Sequence, residues 1–200
     1  MLPLPDYEHF QYHFSPPQLP DELAAWAKLR ECERRFATYT WAESNNDISN
    51  PQYRVLLNDA LSGFLMTIEA VFQFLKYDSF SKTKDMEKWL AEQPEYDVLL
   101  RGLRTLRHFE AHVESKSAAG HITVVMGGPT IRRWSLQALD PKDLKRLRYT
   151  PLTVDLLPEW NHLVGQQRNV VLFKQALEKL EVLLNRAKDL KRDPGLGTPA

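Results

Sequence analysis

Two hundred residues, 43% of them hydrophobic and 26% charged, suit one globular domain with its own core. The 26 basic and 26 acidic side chains cancel, which gives no support to broad coating of nucleic acid or to adsorption on a membrane, although a local basic site stays open. The single cysteine, Cys32, rules out an internal disulfide and any paired-cysteine metal site.

Five of the 13 prolines (Pro3, Pro5, Pro16, Pro17 and Pro20) fall in the first 20 residues without helical spacing. They predict an extended arm over 1–20. Tyr7, Phe10, Tyr12 and Phe14 make that arm too apolar for a free tail, so it is expected to lie along the body. The opening MLPLPDYEHF has no basic start followed by an apolar run and does not read as a secretory signal. No stretch reaches the roughly 20 apolar residues that span a bilayer. The expectation is a cytoplasmic protein with no membrane partner.

A first helix is predicted from Pro20 to Ser44, buried through Leu23, Trp26, Leu29, Phe36 and Tyr39. Cys32, among Arg30, Glu31, Glu33 and Arg34, reads as a small packed hydrophobe. The run SNNDISNP ending at Pro51 breaks the chain, because Asn, Asp and Ser bond their own backbone and compete with helix. A second helix follows from Pro51 to Tyr77. Its Leu57, Leu61, Phe64, Leu65, Ile68, Val71, Phe72 and Leu75 recur at helical spacing, the strongest amphipathic pattern in the chain.

A polar link over 78–94 holds a short helix, Asp85–Glu92, anchored by Trp89. A third long helix is predicted from Glu95 to Ser117. Ile122–Met126 and Ile131–Ala138 then flank Gly127-Gly128-Pro129-Thr130, the pattern of a hairpin. A connection over 140–157 carries Lys142, Lys145, Arg146 and Arg148. A last helix is predicted from Pro158 to Lys191, buried through Leu163, Val170, Phe173, Leu177, Leu180, Leu184 and Ala187. The tail 193–200 (DPGLGTPA) is predicted disordered. The fold expectation is all-α: a bundle of four to five helices over 21–192, with a small β-hairpin insertion near 121–139.

Chemistry concentrates on the third long helix. Leu99, Leu103, Leu106, Phe109 and Val113 gather toward the core, while Arg104, His108 and His112 form a second stripe at i, i+4 and i+8. Arg107 lies roughly 140° round the helix from His112. Two residues so placed do not converge on one small substrate within a chain. They converge when two copies of the helix meet across a two-fold axis, so the spacing favours a site shared by a homodimer.

A histidine titrates near neutral pH and can take or return a proton. An arginine keeps its charge and offers a fork matched to phosphate oxygens. Together they suit attack of a ribose 2′-hydroxyl on the adjacent phosphate, with the guanidinium stabilising charge that builds on phosphorus. That chemistry needs neither metal nor cofactor.

The stretch Arg107-His108-Phe109-Glu110-Ala111-His112 resembles the Arg-polar-x-x-x-His motif of HEPN domains, with His108 in the polar position. The resemblance covers this helix and, loosely, the order of helices around it. The polar position is more often Asn or Asp, and no small residue follows His112 directly. The resemblance implies a helical bundle that dimerises and a metal-independent ribonuclease of a toxin–antitoxin, phage-defence or RNA-processing system. It implies RNA as substrate and a neutralising or regulatory protein as partner. Arg107, His112 and His108 are then the catalytic set, and Arg104, Lys116, Arg132 and Arg133 are expected to bind the substrate.

Two other readings compete. In the first, the bundle is a non-catalytic interaction module and the histidines are surface or packing residues. In the second, His108 and His112 hold a metal from one helical face, as in DinB-like bundles, with His162 or His121 as third ligand. Arg132, Arg133 and Trp134 either grip phosphate and stack a base, or anchor the hairpin by its tryptophan with both arginines in water. No Gly-rich phosphate loop and no convincing nucleophile–histidine–acid set accompanies Ser135.

Overall fold

The computed structural model describes residues 24–44, 51–112, 119–123, 131–136, 138–147 and 149–192. For 51, 53–54, 109–112, 119–123, 131–135 and 191–192 it describes the backbone alone. The elements in chain order are α1 (Ala24–Ser44), α2 (Pro51–Ser79), α3 (Thr83–Ala91), α4 (Val98–His112), β1 (Ala119–Thr123), β2 (Ile131–Ser135) and α5 (Pro141–Lys145). A 3₁₀ turn (Val154–Leu156) then leads into α6 (Leu157–Gln166) and α7 (Asn169–Arg192). The packed body is all-α, as expected. The arm 1–20 and the tail 193–200 lie outside the described residues.

Helices α1 and α2 run antiparallel. The Ala25 amide donates to the Asp78 carboxylate at 3.0 Å, and farther along the pair Arg35 lies against Gly63. Helix α7 closes the groove between them: the Phe173 ring lies 4.3 Å from Phe64 and 5.0 Å from Tyr39. Such aromatic pairs add roughly 0.5–1.5 kcal/mol each beyond burial of their area. Cys32 is fully buried in this layer, as the sequence reading expects, and burial pushes its thiol up to about 12.

Helix α2 is the centre of the body, with Leu61, Phe64, Leu65, Ile68 and Phe72 shielded from solvent. Its stretch Val55–Ser79 is long and apolar enough, by length and composition, to cross a membrane, and more than half of its apolar window is buried. The sequence reading found no such stretch. Asp59, Glu69, Lys76 and Asp78 interrupt any unbroken apolar run there, although so few charges still leave a strongly apolar helix.

Helix α4 rests on α2 from one side and on α6 from another. It begins at Asp97, whose carboxylate accepts from the Leu99 amide at 3.1 Å and from Lys179 of α7 at 2.8 Å. The opening orphan donor is thereby capped and the helix start is tied to the far end of the bundle. Helix α5 opens on a capping box. Asp140 accepts from the Lys142 and Asp143 amides at 2.7 and 2.9 Å, and Asp143 accepts from the Asp140 amide at 3.1 Å.

The single last helix predicted from Pro158 to Lys191 is two helices, broken where Gln167 is extended (φ −112, ψ 149). Trp160 must face α4 while Phe173 faces α1 and α2, and on one straight helix they would point roughly 140° apart. Asn169 seals the corner: its carboxamide accepts from the Leu136 amide and donates to the Tyr39 hydroxyl, both at 2.9 Å. Replacing Asn169 by Ala leaves both buried partners unsatisfied and is expected to cost about 1–3 kcal/mol in urea unfolding. Tyr39→Phe, which leaves the Leu136 bond intact, is expected to cost less.

Between α4 and α5, β1 and β2 pair antiparallel along their backbones, with His121 opposite Arg133. The Gly127-Gly128 turn expected to join them lies outside the described residues.

Candidate active site on helix α4

The apolar stripe read from the sequence does bury: Leu99, Leu103 and Leu106 are all shielded. The polar stripe does not behave as one face. Arg104, expected to bind substrate beside His108 and His112, is 2% exposed and points into the core.

Its Nε donates to Glu69 at 2.9 Å, and both terminal nitrogens reach Glu87 of α3 at 3.2 Å. The Tyr96 hydroxyl accepts a further bond. The guanidinium also lies 4.4 Å from the centre of the Phe72 ring, a cation–π contact strengthened by desolvation. Every charge-bearing edge of Arg104 is thus taken by protein groups. It holds α2, α3 and α4 together and has no donor left for a phosphate.

The Glu69 carboxyl is held below the ordinary carboxylate range. Burial works against ionisation there, and the Arg104 guanidinium outweighs it. The sequence does carry a clue to this cluster. Glu69 lies four residues after Leu65 and directly after Ile68, inside the apolar face of α2. A carboxylate in that position requires a buried cation.

His108 is half-buried, with its ring edge-to-face with Tyr149 at 5.5 Å between centres. Arg107 is half-buried, and its buried Nε has no hydrogen-bond partner among the described residues. On one helix, then, every donor of Arg104 is matched, while the Nε of Arg107 is not matched among the described residues. Arg101 is also engaged: it donates to the Tyr96 carbonyl at 2.9 Å and stacks on that ring at 4.8 Å.

Of His112, the backbone at the end of α4 is described and the side chain is not. Lys116 lies outside the described residues. Arg132 and Arg133 lie on β2, opposite Ile122 and His121, and again only the backbone is described. The structure therefore leaves Arg107 and His108 as consecutive residues of one helix, roughly 100° apart round its axis, and removes Arg104 from the set. His162, a third ligand in the metal reading, is exposed on α6. Among the described residues no three His, Cys, Asp or Glu side chains gather as a metal would need.

Sequence reasoning missed Tyr149. The segment that follows it is stapled to α4. Thr105 accepts from the Leu152 amide at 3.1 Å and lies 3.1 Å from the Thr150 hydroxyl, which itself donates to the Leu152 carbonyl at 2.8 Å. Tyr149 is 42% exposed, so it stands at the surface beside His108. Nothing in the local sequence announces this, because the staple joins residues far apart in the chain.

Compared with family models, with characterised proteins and with solved structures, the chain matches none.

Proposed function

We propose that the chain is a HEPN-like, metal-independent endoribonuclease whose site is shared by two copies, with Arg107 and His112 as catalytic residues and His108 assisting. The observation that carries this reading is Arg107. On a helix where Arg101 and Arg104 are spent on protein partners, Arg107 keeps a buried Nε with no hydrogen-bond partner among the described residues. A guanidinium with one unmatched nitrogen on the motif helix is suited to a phosphodiester.

In the reaction, the His112 imidazole takes the proton of a ribose 2′-hydroxyl and O2′ bonds to phosphorus. The bond from phosphorus to the 5′ oxygen breaks, and a second imidazole, His108 or its equivalent across the dimer, returns a proton to the leaving oxygen. The products are a 2′,3′-cyclic phosphate and a 5′-hydroxyl. Arg107 stabilises the charge that builds on phosphorus. Arg107 and His112 lie roughly 140° apart on α4, which is why the second copy is required.

In this reading the paired strands β1 and β2 form a β-hairpin inserted into the bundle. Arg132 and Arg133, with Lys116, hold the flanking phosphates. RNA is the substrate and a neutralising protein the partner, as in a cytoplasmic toxin–antitoxin or phage-defence system. The test is incubation of purified protein with structured and unstructured RNA, with and without a chelator. Cleavage that persists in the chelator and disappears in both Arg107→Ala and His112→Ala is the expected result. RNA left intact by the wild-type protein under every condition overturns the reading.

One observation favours a second reading, a non-catalytic interaction module. Val55, Met66 and Tyr77 are all exposed, and each step between them turns only roughly 20° round α2. They line up along the outer side of α2 with the polar Asp59, Ser62 and Gln73 between them, a mixed surface of the kind that non-obligate partners cover. On that reading, changes at Met66 and Tyr77 disturb function while Arg107→Ala and His112→Ala leave it intact.

A further inference from the structure

We propose that Tyr149 is a stacking platform for a nucleobase of single-stranded RNA bound against α4. The inference rests on the ribonuclease reading and names the part of the substrate that this chain grips besides phosphate.

A tyrosine at 42% exposure that merely faced water would be free to change rotamer. Tyr149 is held on several sides. Its backbone runs into Thr150 and Leu152, both bound to the buried Thr105 hydroxyl of α4. It lies beside Glu87, one of the two carboxylates that grip Arg104, and burial together with that carboxylate's charge pushes its hydroxyl above the ordinary tyrosine range. The Arg104 guanidinium lies 6.0 Å from its ring centre, and His108 abuts the ring at an interplanar angle of 85°.

The ring is therefore seated against the same buried ion cluster that holds α4, while 42% of the residue stays exposed. Folding gains little from leaving a large aromatic exposed in one orientation. A single-stranded base gains much from it, because every base offers a π-face to a ring already ordered. The segment before Tyr149 carries Lys142 and Lys145, both exposed. Basic side chains next to a fixed aromatic make the combination by which single strands are held without reading their sequence.

The placement also fits the chemistry. Tyr149 touches His108, the residue directly after Arg107. A base stacked on Tyr149 therefore sets its own ribose and phosphate beside the motif helix. Unpaired RNA satisfies this geometry and a duplex does not, because its bases are already stacked on one another.

The test is fluorescence anisotropy with an end-labelled, single-stranded 2′-O-methyl RNA, which lacks the attacking hydroxyl and stays whole. Tyr149→Phe keeps the ring and is expected to bind within about twofold of wild type. Tyr149→Leu is expected to bind about tenfold more weakly, the scale of one lost base stack. As a measurement that needs no protein variant, abasic sites are placed one at a time along an oligonucleotide cut to the shortest length that still binds, which leaves it no room to slide past the lesion. One position should weaken binding to the wild-type chain about tenfold, and that sensitivity should vanish in Tyr149→Leu if it folds. Wild type that binds no RNA overturns the ribonuclease reading and the platform with it. Wild type that binds RNA with no abasic position mattering, or with Tyr149→Leu binding equally well, overturns the platform alone.

Discussion

An Arg104→Ala chain is expected to be about 3–5 kcal/mol less stable to urea than wild type at neutral pH. The side chain itself contributes little apolar area. What the substitution does is strand Glu69, whose side chain is 8% exposed, and Glu87 without their shared cation. In a domain of this size the loss corresponds to a melting temperature lower by about 10 °C.

The pH dependence identifies the cause. In wild type the folded pKa of Glu69 is held below its unfolded value, near 4.3 for a free glutamate. Its contribution is fully present above that unfolded value and is lost as pH falls through the folded one. In Arg104→Ala the burial of Glu69 is unopposed, so its folded pKa moves up instead. That variant recovers stability as acid neutralises the carboxyl, and the gap to wild type narrows from neutral pH downward. A gap that stays constant from pH 7 to pH 4 would refute the ion-cluster account. Pairing Arg104→Met with Glu69→Gln removes most of the buried charge along with its partner and is expected to restore part of the loss.

Gly102→Ala is expected to be nearly as damaging, by a different cause. A Cβ at Gly102 would lie 2.1 and 2.2 Å from the Cε3 and Cζ3 atoms of Trp160. Real carbon atoms do not approach so closely, and the indole is fully buried with nowhere to turn. Helices α4 and α6 must separate, at a cost of about 3 kcal/mol, the upper part of the range for overpacked cores. The better helix propensity of alanine returns only about 1 kcal/mol.

Gly165, also helical, is the control. A Cβ there meets nothing within 4 Å, so Gly165→Ala is expected to be stabilising by about 0.4–1 kcal/mol. Thermal unfolding of the two variants side by side checks both. If Gly102→Ala melts with wild type, the contact between α4 and Trp160 is not as described.

These two positions mark how far the sequence could be read. Helices α1, α2 and α4 were legible because their apolar residues recur at the helical period. Cys32 was legible because a small thiol on an amphipathic helix packs. The two helices α6 and α7 read as one, since Pro158, Leu163, Val170 and Phe173 continue a periodic pattern across Gln167. Only Asn169, bound to Leu136 and Tyr39 from distant parts of the chain, and the opposed demands of Trp160 and Phe173 reveal the bend. Gly102 reads as a mildly poor helix residue until Trp160 is set against it.

The candidate site divides in the same way. That one helix bears Arg104, Arg107, His108 and His112, with Arg107 turned away from His112, follows from sequence and helical pitch alone. Which arginine is matched by buried carboxylates does not. Arg104 and Arg107 are the same residue type three positions apart. Their fates differ because Glu69, Glu87 and Tyr96 converge on one and leave the Nε of the other without a partner among the described residues. Local pattern determines which face of a helix is apolar, since that depends on near neighbours and the pitch. Tertiary structure decides how buried charges are matched, because the matching groups come from helices far apart in the chain.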